Sequence, residues 1–436
     1  MNELIGLWYK PGSDNKAEGV LRYDPTIGGI LDLKILGSFD NLSYSSNSTY
    51  YNDIILGECG DKKITLYKCI ENRSKIKVEG VTFLTESQFN VWFIFIGKHF
   101  NEKSALKFDE FSFDFYNSEF WFNMNPHKPL NDGHTDIISH YRIFDNLEIL
   151  FQIHTEREIQ FPYITIVQSD SSFENLHKYF WYLLHFFSFN LMNPTYSNHI
   201  SVKSDNECIE VWLIKPNFRF TRSLTFNDDG LMNYQDIKEN LGEVLKNWFK
   251  LEQDLGAILE IYFDHLYNQD YGFVHRFLNM IQIFEGLHRR IYNEEQTNID
   301  ELEYSLMITS IFSAIQNEEY KKWLEGKLKY ANEINLATRV KRIIARFKIL
   351  EEKWNEEQLK VDKFIYKTVN TRNYYTHFDK ELETQILKNE ELVYYSNLVK
   401  IIIDVVILSS LGFTGPQISK MITNKRFYKE LSIQSF

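Results

Sequence analysis

The sequence predicts an α+β protein, a β-rich N-terminal half followed by an all-α half, and three observations carry that expectation. The hydrophobic period changes from about two to about 3.6 near residue 236. Glycines punctuate the first half at Gly19, Gly28, Gly29, Gly37, Gly57, Gly60, Gly80 and Gly97. The chain has 436 residues, too many for one ordinary core.

The elements follow in order. ITLYKCI (64–70) and VWFIFIG (91–97) are β-branched and aromatic runs, and FSFDF (111–115) alternates with period two, so all three are expected strands. SSFE (171–174) offers a capping box to the helix LHKYFWYLLHFFSF. Two further strands are expected around CIEVWLIKP (208–216) and FRFTRSLTF (218–226), and the turn-like NDDG (227–230) marks a boundary. The expected domains are therefore 1–235 and 236–436. In the second, Val340, Ile343, Ile344 and Phe347 fall at i, i+3, i+4, i+7, with Arg339, Arg342, Arg346 and Lys348 around the rest of the cylinder. The apolar run LVKIIIDVVILSSLGF contains Lys400 and Asp404 and is short for a membrane span, so it reads as a buried helix.

Net charge is −12 and unevenly spread: residues 236–436 hold 27 Lys+Arg and 30 Asp+Glu, leaving 21 and 30 to the first half. Residues 321–348 hold nine basic and two acidic residues, a local +7 able to attract an anion. The start MNELIGLWYKPG lacks a secretory pattern, and Cys59, Cys69 and Cys208 form no redox or metal pattern, which suits a cytoplasmic setting without a membrane. No HExxH or phosphate-loop pattern occurs, so no cofactor is expected.

One residue breaks its own pattern. With 100° per residue and Val361 at zero, Phe364, Ile365, Thr368 and Val369 centre near 20°. Arg372 also falls at about 20°, where a side chain is expected to be buried. A buried guanidinium needs a partner, a cleft or a subunit interface, because desolvating it alone costs several kcal/mol. His377 falls near 160°, so the helix ends or bends there, or the two groups approach one site from different directions. Asn373, next to the arginine, is suited to orient a neighbour by hydrogen bonds or to help cap a helix end.

TRNYYTHF (371–378) resembles the RxxxxH motif of HEPN ribonucleases, all-helical domains of prokaryotic defence systems, and Arg372–His377 is its one occurrence here. FLNMIQIFEGLHRR (277–290) is similar to the helix that carries an acidic residue ahead of that motif, with Glu285 and His288 on or beside its apolar stripe. Residues 7–39, LWYKPGSDNKAEGVLRYDPTIGGILDLKILGSF, resemble the opening of ApeA-type anti-phage proteins, which place a β-rich domain before a HEPN domain.

The resemblance implies an RNA endonuclease of abortive infection, with tRNA as the natural first substrate and a homodimer formed through the helical domain. The β-rich half is expected to sense a phage-derived trigger or restrain the nuclease. Chemically, an imidazole transfers protons near neutral pH and a guanidinium holds two oxygens of a phosphorane, which assigns His377 and Arg372 their roles. Arg339, Lys341, Arg342, Arg346 and Lys348 are candidates for phosphate capture, or a solvated face. Glu285 and His288 either orient site groups or tie helices together, the commoner fate of buried polar residues. Two other classes compete: a non-catalytic nucleotide- or partner-binding HEPN module, and a scaffold whose first half binds a ligand.

Overall fold

The computed structural model describes residues 2–36, 51–79, 82–123, 135–156, 159–205, 207–214, 230–268, 270–356 and 360–424. The expected strand at 218–226 and most of the turn at 227–230 lie outside these residues. The chain divides into two compact units, 1–246 and 247–436.

In the first unit, six antiparallel strands close on themselves. β1 (Asn2–Tyr9) pairs with β2 (Ala17–Asp24) and with β4 (Tyr51–Cys59), and β2 pairs with β3 (Gly28–Leu36). β5 (Lys62–Glu79) joins β4 to β6 (Thr82–Ile96), and β6 returns to β3 from Gly29↔Val91 to Leu36↔Leu84. Closure removes the free edges that an open sheet exposes. Period-two patterning fills the barrel: along β2, Ala17, Leu21 and Tyr23 point inward and join Trp8, Leu31, Leu33, Ile64, Leu66 and Phe89. Trp8 lies directly opposite Gly57, and a Cβ on Gly57 would come 2.3 Å from the indole ring.

β6 continues past β3. Its residues Phe93–Ile96 pair with β12 (Glu207–Leu213) and open a second run of strands, ordered β12, β11 (Ile200–Ser204), β7 (Lys107–Phe113), β10 (Ile159–Ser172), β9 (Leu147–Glu156) and β8 (Thr135–Phe144). The short α1 (Ser118–Phe122) and the long α2 (Phe173–Leu191) pack beside β10. Aromatic rings fill that layer, with Phe113–Phe180 centroids 4.9 Å apart and Phe115–Phe187 stacked at 3.9 Å.

The helix after SSFE starts as expected, but its cap differs. Ser172 is the N-cap and accepts from the Asn175 N–H at 3.3 Å, while Glu174 accepts from the Tyr67 hydroxyl and pairs with Lys103 at 3.0 Å. The cap falls one residue later than SSFE implies, so Glu174 stands at N2 rather than N3 and its carboxylate serves tertiary partners. The first unit also holds α3 (Tyr234–Ile237) and the start of α4 (Leu241–Tyr267).

The second unit is helical. It contains the rest of α4, then α5 (Phe273–Ile291), α6 (Glu301–Ala314), α7 (Glu318–Leu328), α8 (Leu336–Arg346), α9 (Lys348–Glu356), α10 (Val361–His377), α11 (Glu390–Ser410) and α12 (Gly415–Asn424). α11 is long and apolar enough to span a membrane, yet 78% of its most apolar window is buried, and it packs on α5. Its two buried charges neutralise each other: Lys400 Nζ lies 2.6 Å from Asp404 and donates to the Tyr262 hydroxyl at 3.0 Å. Tyr262 in turn donates to Asp404 at 2.8 Å. Burial holds the Lys400 ammonium below its ordinary pKa, with Asp404 opposing that shift.

The single helix expected to carry Arg339 through Lys348 is broken into two. α8 ends at Arg346, Phe347 is extended (φ −114°, ψ 104°), and α9 begins at Lys348. The apolar period continues through the break because both helices bury one side.

Replacing Gly57 by Ala drives a methyl into the Trp8 ring and should cost about 2–3 kcal/mol of stability. Urea unfolding of the full chain followed by Trp fluorescence measures it, and a loss under about 0.5 kcal/mol contradicts the close packing.

Candidate active site

α10 is held by its first turns. Phe364 is fully buried between Trp354 and Tyr395, with ring centroids at 5.1 and 5.3 Å. The buried face continues through Ile365, Thr368 and Thr371. Thr371 ties the helix to the chain entering α11, accepting from the Leu387 N–H at 2.9 Å and donating to the Lys367 carbonyl at 2.7 Å. Asn370 adds a 2.8 Å bond to Gln385. These polar ties have no signature in the sequence, since a threonine beside Arg372 reads the same whether it is buried or exposed.

Arg372 follows at the edge of this face rather than in its middle. Its side chain is 31% exposed, and Nη2 reaches Glu285 Oε2 on α5 at 3.4 Å. Nη1 donates to Asn373 Oδ1 at 3.2 Å. The stripe centre shifts because Thr371 is buried and Val369 is only half-buried. Between partly exposed groups at that distance the ion pair is worth about 1 kcal/mol or less, so it aims the guanidinium more than it stabilises the fold. Two of five N–H donors are engaged, which leaves the fork free to take phosphate oxygens.

His377 closes α10. Phe378 caps the helix in the left-handed region (φ 54°), its N–H donating to the Tyr374 carbonyl at 2.6 Å. The imidazole is exposed and makes no hydrogen bond among the described residues. The helix runs unbroken from Arg372 to His377, so within one chain the two groups point about 140° apart.

Glu285 and His288 lie three residues apart on α5 and serve different neighbours. His288 is 1% exposed, and its Nδ1 accepts from Arg339 Nη1 at 3.0 Å. Arg339 also donates to the Gln296 side-chain carbonyl. A guanidinium only donates, so the His288 proton sits on Nε2. Burial, reinforced by the adjacent Arg339 charge, pushes the His288 pKa down to about 4.

This corrects the basic segment. Arg339, expected on a phosphate-facing surface, is 1% exposed and turned inward on His288 and Gln296. Arg342 is half-buried and donates to the Glu295 carbonyl at 2.9 Å. Arg346 pairs with the Glu295 carboxylate and sits 4.5 Å over the Tyr292 ring. Lys348 pairs with Glu352 at 3.1 Å across a turn of α9, and Lys341 is exposed. The sequence window hid this because Glu295 and Glu352 lie outside 321–348. Gln296 carried no signal in the sequence.

Two family models match. The description ApeA N-terminal domain 1 covers residues 3–248, more than half of the chain, and Apea-like HEPN covers residues 278–417. The chain belongs to the ApeA-type HEPN family. No curated protein and no solved structure matches it. The HEPN match takes in α6–α11 entirely, most of α5 and the start of α12, and with them Glu285, His288, Arg372 and His377. Family membership carries the β-rich-then-helical order and an anti-phage association.

His288 gives the HEPN domain a pH dependence. It is neutral when folded and binds a proton in the unfolded chain below about pH 6.5. Stability is therefore complete above that pH and is lost as pH falls toward 4. Between pH 7 and pH 5 this histidine should account for about 2 kcal/mol. Urea unfolding of wild type and His288→Gln at both values measures it, and equal pH-dependent losses in the two proteins contradict the assignment.

Proposed function

We propose that this protein is a metal-independent RNA endonuclease of anti-phage defence, cutting through Arg372 and His377, with tRNA the first substrate to try. One observation carries the reading: a guanidinium held half-exposed by Glu285, on the helix that ends in an exposed, unbonded imidazole. Glu285 and Asn373 position Arg372.

The chemistry follows from these groups. One His377 takes the ribose 2′-OH proton, the 2′-oxygen bonds to phosphorus, and Arg372 stabilises the phosphorane charge. The P–O5′ bond then breaks and the 5′-oxygen leaves with a proton from a second imidazole. The products are a 2′,3′-cyclic phosphate and a 5′-hydroxyl. Of the basic segment, the exposed Lys341 and Lys348 remain the candidates for electrostatic attraction of the RNA backbone, Lys348 from within its surface pair with Glu352. Arg339 has no such role.

Arg372→Ala and His377→Ala should each lower cleavage of total cellular RNA at least 100-fold while leaving the unfolding transition in place. EDTA should leave the wild-type rate unchanged. Wild-type speed in both variants refutes the site, and an inactive wild type makes the domain a non-catalytic HEPN module.

The second imidazole is assigned to a second copy of the chain, and α6 gives that pairing physical support. From Tyr304 to Asn317 there is no charged residue, yet α6 buries none of its side chains. Leu302 is 71% and Leu306 65% exposed. A helix so apolar normally lies inside a fold. The adjoining α7 carries both signs of charge, Glu318, Glu319 and Glu325 beside Lys321, Lys322 and Lys327, which suits a self-complementary two-fold contact. Light scattering should give twice the 52.1 kDa chain mass for wild type and a smaller mass for Leu306→Glu. A monomeric wild type excludes the pairing.

A further inference from the structure

Beside the motif lies a groove of about 660 Å³. Phe273, on the first turn of α5, and Tyr374 and Tyr375, on the last turns of α10, form its aromatic sides, and the buried Ile386 lies in its floor. Glu383 and Asn389 stand exposed at the rim. The tyrosines are the two middle letters of RNYYTH, and the catalytic reading gives them no task.

Three properties distinguish this groove from ordinary surface. First, its aromatic side chains are open to solvent: Phe273 is 48% exposed and both tyrosines are half-exposed. Neither tyrosine hydroxyl meets a hydrogen-bond partner among the described residues. Second, Asn389 is held at φ 48°, ψ −117°, outside the regions open to ordinary side chains, and its amide makes no capping bond. Such strain costs roughly 1–3 kcal/mol and collects at ligand contacts. Third, Tyr374 and His377 are three residues apart on one helix, about 60° apart around its axis and about 4.5 Å along it.

We propose that this groove is a nucleobase subsite, which receives an unpaired base of the RNA next to the scissile phosphate by stacking on Tyr374 and Phe273. It rests on the ribonuclease reading for its substrate class. A base is the planar, apolar-faced and polar-edged part of a nucleotide, and it is carried by the ribose whose 2′-hydroxyl His377, on the same side of α10 as Tyr374, would deprotonate. Aromatic faces bind its plane, while the Asn389 amide and Glu383 carboxylate offer an acceptor, a donor and a charge-assisted acceptor to its edge. Stacking of this kind requires a single-stranded segment, so the site favours loops and ends over duplex.

The test uses the full chain and 2′-O-methyl single-stranded oligonucleotides, which bind without being cut. Tyr374→Leu and Phe273→Ala should each weaken binding about tenfold, and Tyr374→Phe, which keeps the ring, should restore it. A hairpin stem of the same sequence should bind worst. In the cleavage assay with unmodified RNA, the losses should fall on KM before kcat and flatten the preference among A, C, G and U at the cut site. Unchanged oligonucleotide affinity in Tyr374→Leu and Phe273→Ala overturns the subsite even when wild type cleaves RNA. Tight, ring-dependent binding by a protein that never cleaves sinks the nuclease reading instead and leaves the subsite standing. A change in light-scattering mass in place of affinity makes the groove a contact between protein copies and overturns the proposal.

Discussion

A guanidinium cannot leave water without compensation, and the helical unit is organised around two that do so to different degrees. Arg339 is enclosed and met by a neutral imidazole and an amide carbonyl. Arg372 stops halfway out and is met by a carboxylate. The first arrangement forces His288 to stay neutral, since an imidazolium would face the guanidinium at 3.0 Å in a low-dielectric interior. The second leaves charge and donors in reach of an incoming anion. Both arginines are served from α5, by Glu285 and His288, so one helix sets the electrostatics of the site.

The same constraint explains α11. Its Lys400 and Asp404 survive inside an apolar, mostly buried helix because they are four residues apart, bonded to each other and to Tyr262. Removing one partner leaves a buried charge alone, which is far worse than never having had the pair. Rigid placement of α11 in turn fixes Tyr395, and Tyr395 with Trp354 grips Phe364 two turns ahead of Arg372. Packing at one end of α10 thus decides the direction of the guanidinium at the other.

Much of the architecture was legible because periodicity survives in a single sequence. Alternation along FSFDF and the aromatic runs located strands, and Val340, Ile343 and Ile344 located a buried helix face. Barrel closure was not legible: it depends on β6 meeting β3, a pairing set by register between strands about fifty residues apart in sequence. The break at Phe347 was hidden too, since an apolar residue at the expected spacing reads the same whether the helix continues or restarts. For the site, Arg372 and its need for a partner could be read from the helical wheel. Which group answered that need could not, because Glu285 is 87 residues away and carboxylates are plentiful.

By itself, the sequence determined the two-part order, the burial of α11 and the nearness of Arg372 to an apolar face, all of which follow from local spacing along the chain. Only the tertiary structure decided that Arg339 faces inward, that Glu285 holds Arg372 half-exposed, and that Tyr374 and Phe273 share a groove. Those outcomes depend on which distant side chains can pay the desolvation of a charge or cover a ring. Local period carries no information about that choice.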